Sequence, residues 1–261
     1  MIKTLTAIRY ITPLREGGSL PAIVEADDGT MYVMKFTGAG QGPKALIAEL
    51  VAGKIGRTLG LRVPELVFLE LDSALARSEP DPEIQDLLLA SAGRLNLGLR
   101  YLPNALAFNM LIKPPPTPEL ASRIVWFDAY VTNVDRTARN VNLLIWQEAL
   151  WLIDHGAALY FHHSWDDYLA RSQSPFALIK DHTLIRFAHQ LPQADSDLKP
   201  RLTPPIIQQI VGLIPGEWLD GESSFASHAE HRAAYVAYLL SRLENSSIFV
   251  EEAINARQKL V

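Results

Sequence analysis

The stretch Asn133–Ile145, NVDRTARNVNLLI, and the run Trp151–Leu159, WLIDHGAAL, hold the three polar residues whose spacing decides the reading. Asn140 follows Asp135 by five positions, and Asp154 follows Asn140 by fourteen, at the end of an apolar run. A carboxylate, an amide and a second carboxylate can between them orient a hydroxyl and hold a hard cation. One such string is weak by itself, so its weight depends on what stands upstream.

Working outward, residues 1–40 read as strands. Pro21–Glu25 and Met31–Phe36 are joined by the turn Ala26-Asp27-Asp28-Gly29, a hairpin signal. Pro43 opens a helix that runs to about Leu59, with Gly60 as its stop. A strand pair follows at Glu65–Leu71 and Leu97–Tyr101, with a short helix over Asp81–Ala92 between them. Prolines 103, 114, 115, 116 and 118 mark a boundary, so the chain divides into a strand-rich part, 1–102, and a helical part, 103–261. In the second part Leu120, Ile124, Phe127 and Val131 recur at helical spacing and deliver the chain to Asp135. Short buried strands are expected at Val141–Ile145 and Leu150–Ile153, and helices from Tyr168 on. Tyr235, Val236, Leu239, Leu240 and Leu243 form an apolar helix face that reads as core. The fold class expected is α+β in two lobes.

Composition narrows the function classes. With 48% hydrophobic and 20% charged residues in 261, the chain can bury a sizeable core. The formal net charge is −5 without a basic cluster, so no nucleic-acid partner and no membrane-surface partner is expected. There is no cysteine, which excludes disulfides, zinc-thiolate sites and thiol catalysis. No apolar run reaches the length of a membrane span, and Arg9 interrupts what would be a leader's apolar region, so a cytoplasmic protein is expected. The seven histidines lack a carboxylate at ligand spacing and read as ordinary core or surface residues.

Asp135, Asn140 and Asp154 have the spacing of a kinase catalytic loop and its metal-binding aspartate. Asp135 is the candidate for the acceptor proton, and Asn140 and Asp154 are candidate magnesium ligands. Lys35, flanked by apolar residues in MYVMKF, is the candidate phosphate contact, and Glu49, fourteen residues on, is its expected partner. Helical spacing puts Glu49 beside Ala45, Ala52, Gly53 and Gly56, small residues that let the helix approach a sheet. The alternative is that Lys35 ends a strand and Glu49 faces water. Two glycine-rich loops compete to cover phosphates: Gly17-Gly18-Ser19 and Gly38-Ala39-Gly40-Gln41-Gly42, the second before a helix N-terminus. Leu99–Leu102, with Tyr101 and Leu102 at the lobe crossing, is the candidate adenine segment. Arg136 and Arg139 either neutralise phosphate charge or pair with nearby acids.

On these residues the chain resembles the HipA-like kinases, a bacterial branch of the protein-kinase-like superfamily. The resemblance is carried by YVMKF, AELVAGKIGRTLGLRVPE, FDAYVTNVDRTARNVNLL, LIDHG, IPGEWLDG and FVEEAINAR. It implies a two-lobed kinase fold that uses ATP and Mg2+ and, for HipA itself, serine phosphorylation within a toxin–antitoxin pair, hence an antitoxin-like partner. Asp135-Arg136, Asn140 and Asp154-His155-Gly156 also resemble phosphatidylinositol kinases. The loop at Gly17-Gly18-Ser19 departs from the HipA phosphate-loop pattern, and His155 stands where kinases of the DFG type have an aromatic residue.

The expected activity is γ-phosphoryl transfer to a hydroxyl, on a protein Ser/Thr or a small molecule. Two other readings stand beside it: a nucleotide-binding module without turnover, and nucleotidyl transfer from a flipped nucleotide.

Overall fold

The computed structural model describes residues 2–14, 20–40, 42–77 and 79–260. Its first part is a closed barrel. Strands β1 (Thr4–Pro13), β2 (Ala22–Ala26) and β3 (Met31–Lys35) form an antiparallel meander. Helix α1 (Gly42–Thr58) leads to β4 (Leu66–Leu71), then to α2 (Ser73–Arg77), α3 (Pro82–Ser91) and β5 (Asn96–Arg100). β5 lies between β3 and β4, and β4 closes the ring by pairing parallel to β1, Thr4 opposite Phe68. The predicted Ala26–Gly29 turn is present. Gly29 takes φ +74°, and Asp28 accepts bonds from Thr30 N–H and the Tyr32 hydroxyl at 2.9 Å each.

A five-stranded barrel is too narrow for large side chains throughout. Ala7, Ala22, Ala26 and Gly98 fill its tight places, and a Cβ at Gly98 would lie 2.6 Å from a Leu69 methyl. The two-residue period of a strand then sorts β3. Tyr32, Met34 and Phe36 fill the barrel, while Val33 and Lys35 face the cleft on the other side.

The second part begins with β6 (Leu106–Ala107) and α4 (Pro118–Tyr130), which Thr117 caps by accepting from Leu120 N–H at 3.2 Å. A hairpin follows, β7 (Leu143–Trp146) and β8 (Ala149–Leu152), turned by Gln147 and Glu148 at positive φ. Then come α5 (Tyr168–Ser172), α6 (Leu191–Leu198), α7 (Pro204–Val211), α8 (His228–Glu244) and α9 (Ser246–Gln258), linked by short 3-10 turns. Helix α4 is buried on every side from Ile124 to Tyr130, with Trp126 and Tyr130 against Phe249 of α9. The expected apolar face of α8 is core: Tyr235, Leu239 and Leu243 are buried, with Val236 and Leu240 packed beside them.

Most strand boundaries shift by one residue from expectation, and the start of β7 shifts by two. Val141 and Asn142 do not join β7. Asn142 takes φ +48° and its carbonyl accepts from the Arg136 guanidinium and the Ile153 N–H, so the ladder starts at Leu143.

Candidate active site

Lys35, the last residue of β3, is 9% exposed, and its ammonium donates to two carboxylates. Glu49 Oε2 and Asp154 Oδ1 each lie 2.6 Å from Nζ. Glu49 is fully buried on α1, which comes close enough because its flank is small. A Cβ on Gly53 would meet Leu66 at 3.2 Å, and one on Gly56 would meet Val63 at 3.1 Å and Phe127 at 3.4 Å. The water-facing alternative for Glu49 is thereby overturned. Burial works against both charges, but their mutual attraction prevails. Lys35 is held above its ordinary pKa by Glu49 and Asp154, and Glu49 below its own by Lys35 and His155.

His155 completes the anchor. Its N–H donates to Glu49 Oε2 at 2.7 Å, and its Nδ1 lies 3.0 Å from Oε1. The ring is fully buried, edge-on to Phe127 at 5.7 Å. The residue after Asp154 therefore acts as a second partner of Glu49 rather than as an apolar plug. Asp154 itself has φ +52°, just beyond β8, and its side chain is 46% exposed towards the cleft.

Across the cleft, Asp135 Oδ2 accepts from Asn140 Nδ2 at 2.6 Å and from Asn142 Nδ2 at 3.3 Å. Burial and the nearby Asp154 charge raise the Asp135 pKa, and the two amides oppose the rise. Beneath this loop lies a buried network that sequence reasoning missed. Asp128, fully buried on α4, accepts from Arg136 Nε at 2.7 Å and Asn133 Nδ2 at 2.9 Å, and sits 2.9 Å from His182 Nε2. Arg136 is 1% exposed, so it pins the loop from inside and is not a phosphate contact, whereas Arg139 is exposed. A legible signal did exist, since Asp128 interrupts the apolar period of α4 between Ile124 and Val131.

The cleft between the barrel and the β7–β8 hairpin encloses about 520 Å³. Val33, Pro64, Leu99, Leu102, Leu144 and Ile153 form an apolar slot that ends at Lys35, Asn140, Asn142 and Asp154. Tyr101 and Leu102 line it, and the Tyr101 N–H is bonded to the Met31 carbonyl at 2.9 Å, which leaves Tyr101 its carbonyl for a ligand. Gly17, Gly18 and Ser19 lie outside the described residues. In the competing loop, Gly38 N–H donates to Ser91 Oγ, Ala39 N–H to the Phe36 carbonyl and Gly42 N–H to the Ala39 carbonyl, so these three groups are turned inward.

A narrow apolar slot that ends in a buried lysine–glutamate pair, two amides and one carboxylate suits a flat ring carrying a polyanion with its cation. The proinflammatory kinase CtkA of Helicobacter pylori superposes with a TM-score of 0.60 at 13% identity, over 100% of both chains. A Golgi casein kinase with Mn/ADP bound gives a TM-score of 0.48 at 13% identity, over 96% of this chain and 73% of that one. No curated protein matches. Residues 7–252 match the family described as HipA-like kinase, and with most of its length so matched this protein belongs to the HipA-like kinases.

Proposed function

We propose that this kinase binds ATP with magnesium in the cleft and transfers the γ-phosphoryl group to a hydroxyl, on a protein Ser/Thr or a small molecule. The observation that carries the reading is Lys35 shared at 2.6 Å between Glu49 and Asp154, at the polar end of an apolar slot. We take the lobe boundary at Leu102, with 1–102 above the cleft and 103–261 below it. The adenine lies between Val33, Leu99 and Leu144, with the backbone of Tyr101 and Leu102 along its edge. Lys35 holds phosphate oxygens, and Glu49 and His155 keep its ammonium aimed.

The donor set fits a magnesium ion. Asn140 donates its amide N–H to Asp135, which leaves Oδ1 for a cation, and Asp154 adds a carboxylate. Magnesium favours oxygen ligands and takes the rest of its shell from phosphates and water. When bound, the ion neutralises charge on the β- and γ-phosphates. Among the described residues no group of three or more His, Asp or Glu could hold a metal by itself.

In the transfer, the acceptor oxygen bonds to the γ-phosphorus as the bond to the β,γ-bridging oxygen breaks. The hydroxyl proton passes to Asp135, and ADP leaves. The two amides on Asp135 Oδ2 fix that carboxylate and leave Oδ1 to face the acceptor. Melting temperature, measured with ATP, magnesium and both, tests the reading. A shift that needs both ligands and is absent in Asp154→Ala supports it. No shift at millimolar ATP sinks it and favours an interaction module without nucleotide.

A further inference from the structure

The string IPGEWLDG, Ile214–Gly221, lies between α7 and α8, in the helical lobe, yet its polar groups bond to the barrel side. Glu217 Oε1 accepts from Leu95 N–H at 2.9 Å, and Trp218 Nε1 donates to the Leu95 carbonyl at 2.9 Å. That carbonyl also accepts from Thr37 Oγ1 at 2.6 Å, two residues after Lys35. The Trp218 ring, 2% exposed, meets Phe68 of β4 edge-on at 5.6 Å. Just beyond, Glu222 Oε2 lies 3.1 Å from Lys44 Nζ, in the first turn of α1. The Glu222 carboxylate is itself fixed, because its other oxygen accepts from Ser224 N–H at 3.2 Å and Oγ at 2.7 Å. Burial works against its charge, but Ser224 and Lys44 draw its pKa down to about 2.

Beyond the buried residues that pack it, helix α1 is held by side-chain polar contacts in two places. The Asp154-His155-Gly156 turn holds its middle through Glu49, with Gly156 close against Ala45. Glu222 holds its first turn. The two anchors differ in kind, since the first is deeply buried and the second borders a cavity of about 320 Å³ between Pro43, Lys44, Trp218 and His231. Loss of the second removes the polar hold on the first turn and leaves the buried contacts of the helix in place.

We propose that Glu222 is a positioning residue that, through Lys44, sets the tilt of α1 and so keeps Glu49 in place to aim Lys35 at nucleotide phosphates. The segment 214–222 is then a clasp by which the helical lobe controls phosphate binding. This rests on the phosphoryl-transfer reading.

The test uses the full chain, with dissociation constants for adenosine and for ATP with magnesium, and the melting temperature without ligand. For Glu222→Lys the ATP constant rises about fivefold or more, while that for adenosine, which does not reach Lys35, stays within about twofold. The melting temperature stays within about 2 °C, as expected for a partly exposed ion pair. The exchanged pair Lys44→Glu/Glu222→Lys, with net charge conserved, returns ATP affinity to within about twofold of wild type. Unchanged ATP affinity in Glu222→Lys overturns the clasp, and so do parallel losses for ATP and adenosine, or no recovery in the exchanged pair. Wild type that binds no ATP, or Asp154→Ala that binds it as tightly, instead overturns the phosphoryl-transfer reading beneath it.

Discussion

Asp135 combines two demands that ordinarily conflict. It sits half-buried near Asp154, which favours its neutral form, and in the proposed transfer it must be ionised to accept a proton. The donors Asn140 and Asn142 on one oxygen oppose the first effect and leave the second oxygen for the acceptor. Asp135→Asn preserves the shape and removes the proton acceptor. Turnover, followed as γ-phosphate release, is expected to fall about 10²–10⁴-fold. ATP affinity by titration is expected to hold within about threefold, because phosphate contacts lie on Lys35. A loss of affinity as large as the loss of turnover rules out the assigned role. At this scale the candidate residues were legible because charge in an apolar setting is costly without a purpose. Asn142 and His155 were not, since an amide two positions after Asn140 and a histidine after Asp154 acquire partners only when the loop closes.

The elements carry these residues to their places through unusual ends. Helix α4 leads into the loop that carries Asp135, and its C-terminus is held from below by a buried arginine. Arg242 of α8, 1% exposed, donates to the carbonyls of Ala129 and Tyr130 as well as to those of Ser172 and Ser174. A guanidinium there satisfies carbonyls that a helix end leaves open and complements the negative end of the helix dipole. Arg242→Leu removes the side-chain donor from the buried Tyr130 and Ser172 carbonyls. We expect a loss of about 3 kcal/mol, read as a lower urea midpoint at unchanged slope. A midpoint equal to wild type would mean that water or a neighbour takes over the carbonyls. The helix was legible from its Thr117-Pro118 start and its apolar period. Its end was not, because the group that stops and anchors it comes from a residue more than a hundred positions later.

Over the whole molecule, stability should depend on pH through histidines locked in the core. His162 is buried with its Nδ1 2.9 Å from the Tyr235 hydroxyl, and burial, with His163 nearby, holds its pKa well below 6.5. Above pH 6.5 the ring is neutral folded or unfolded and contributes no pH dependence. Below it the unfolded chain binds a proton that the folded one refuses, so stability falls as pH falls. At pH 5.5 the loss from this group is about 1.4 kcal/mol. Asp128 acts in the same direction over a lower window, since Arg136 and His182 depress its pKa against its burial. Its contribution is complete above its ordinary value of 3.8 and is lost only in stronger acid. Urea denaturation at pH 7.5 and 5.5 should show the decline in wild type and a shallower one in His162→Gln. Equal slopes in the two proteins would reject His162 as the source.

The sequence by itself determined the strand-rich and helical parts and their order, the hairpin, and the helices that hold Glu49 and precede Asp135, and it singled out Lys35, Asn140 and Asp154, which line the cleft. Those features follow from local causes: side-chain period, turn chemistry, caps, and the cost of an isolated charge among apolar neighbours. Tertiary structure alone decided which groups meet. It closed the barrel through a parallel pairing of β1 with β4, gave Glu49 both Lys35 and His155, turned Arg136 inward to Asp128, and brought Glu222 to Lys44. Each is a contact between residues distant in the chain, made by the packing of whole elements, and no local propensity encodes it.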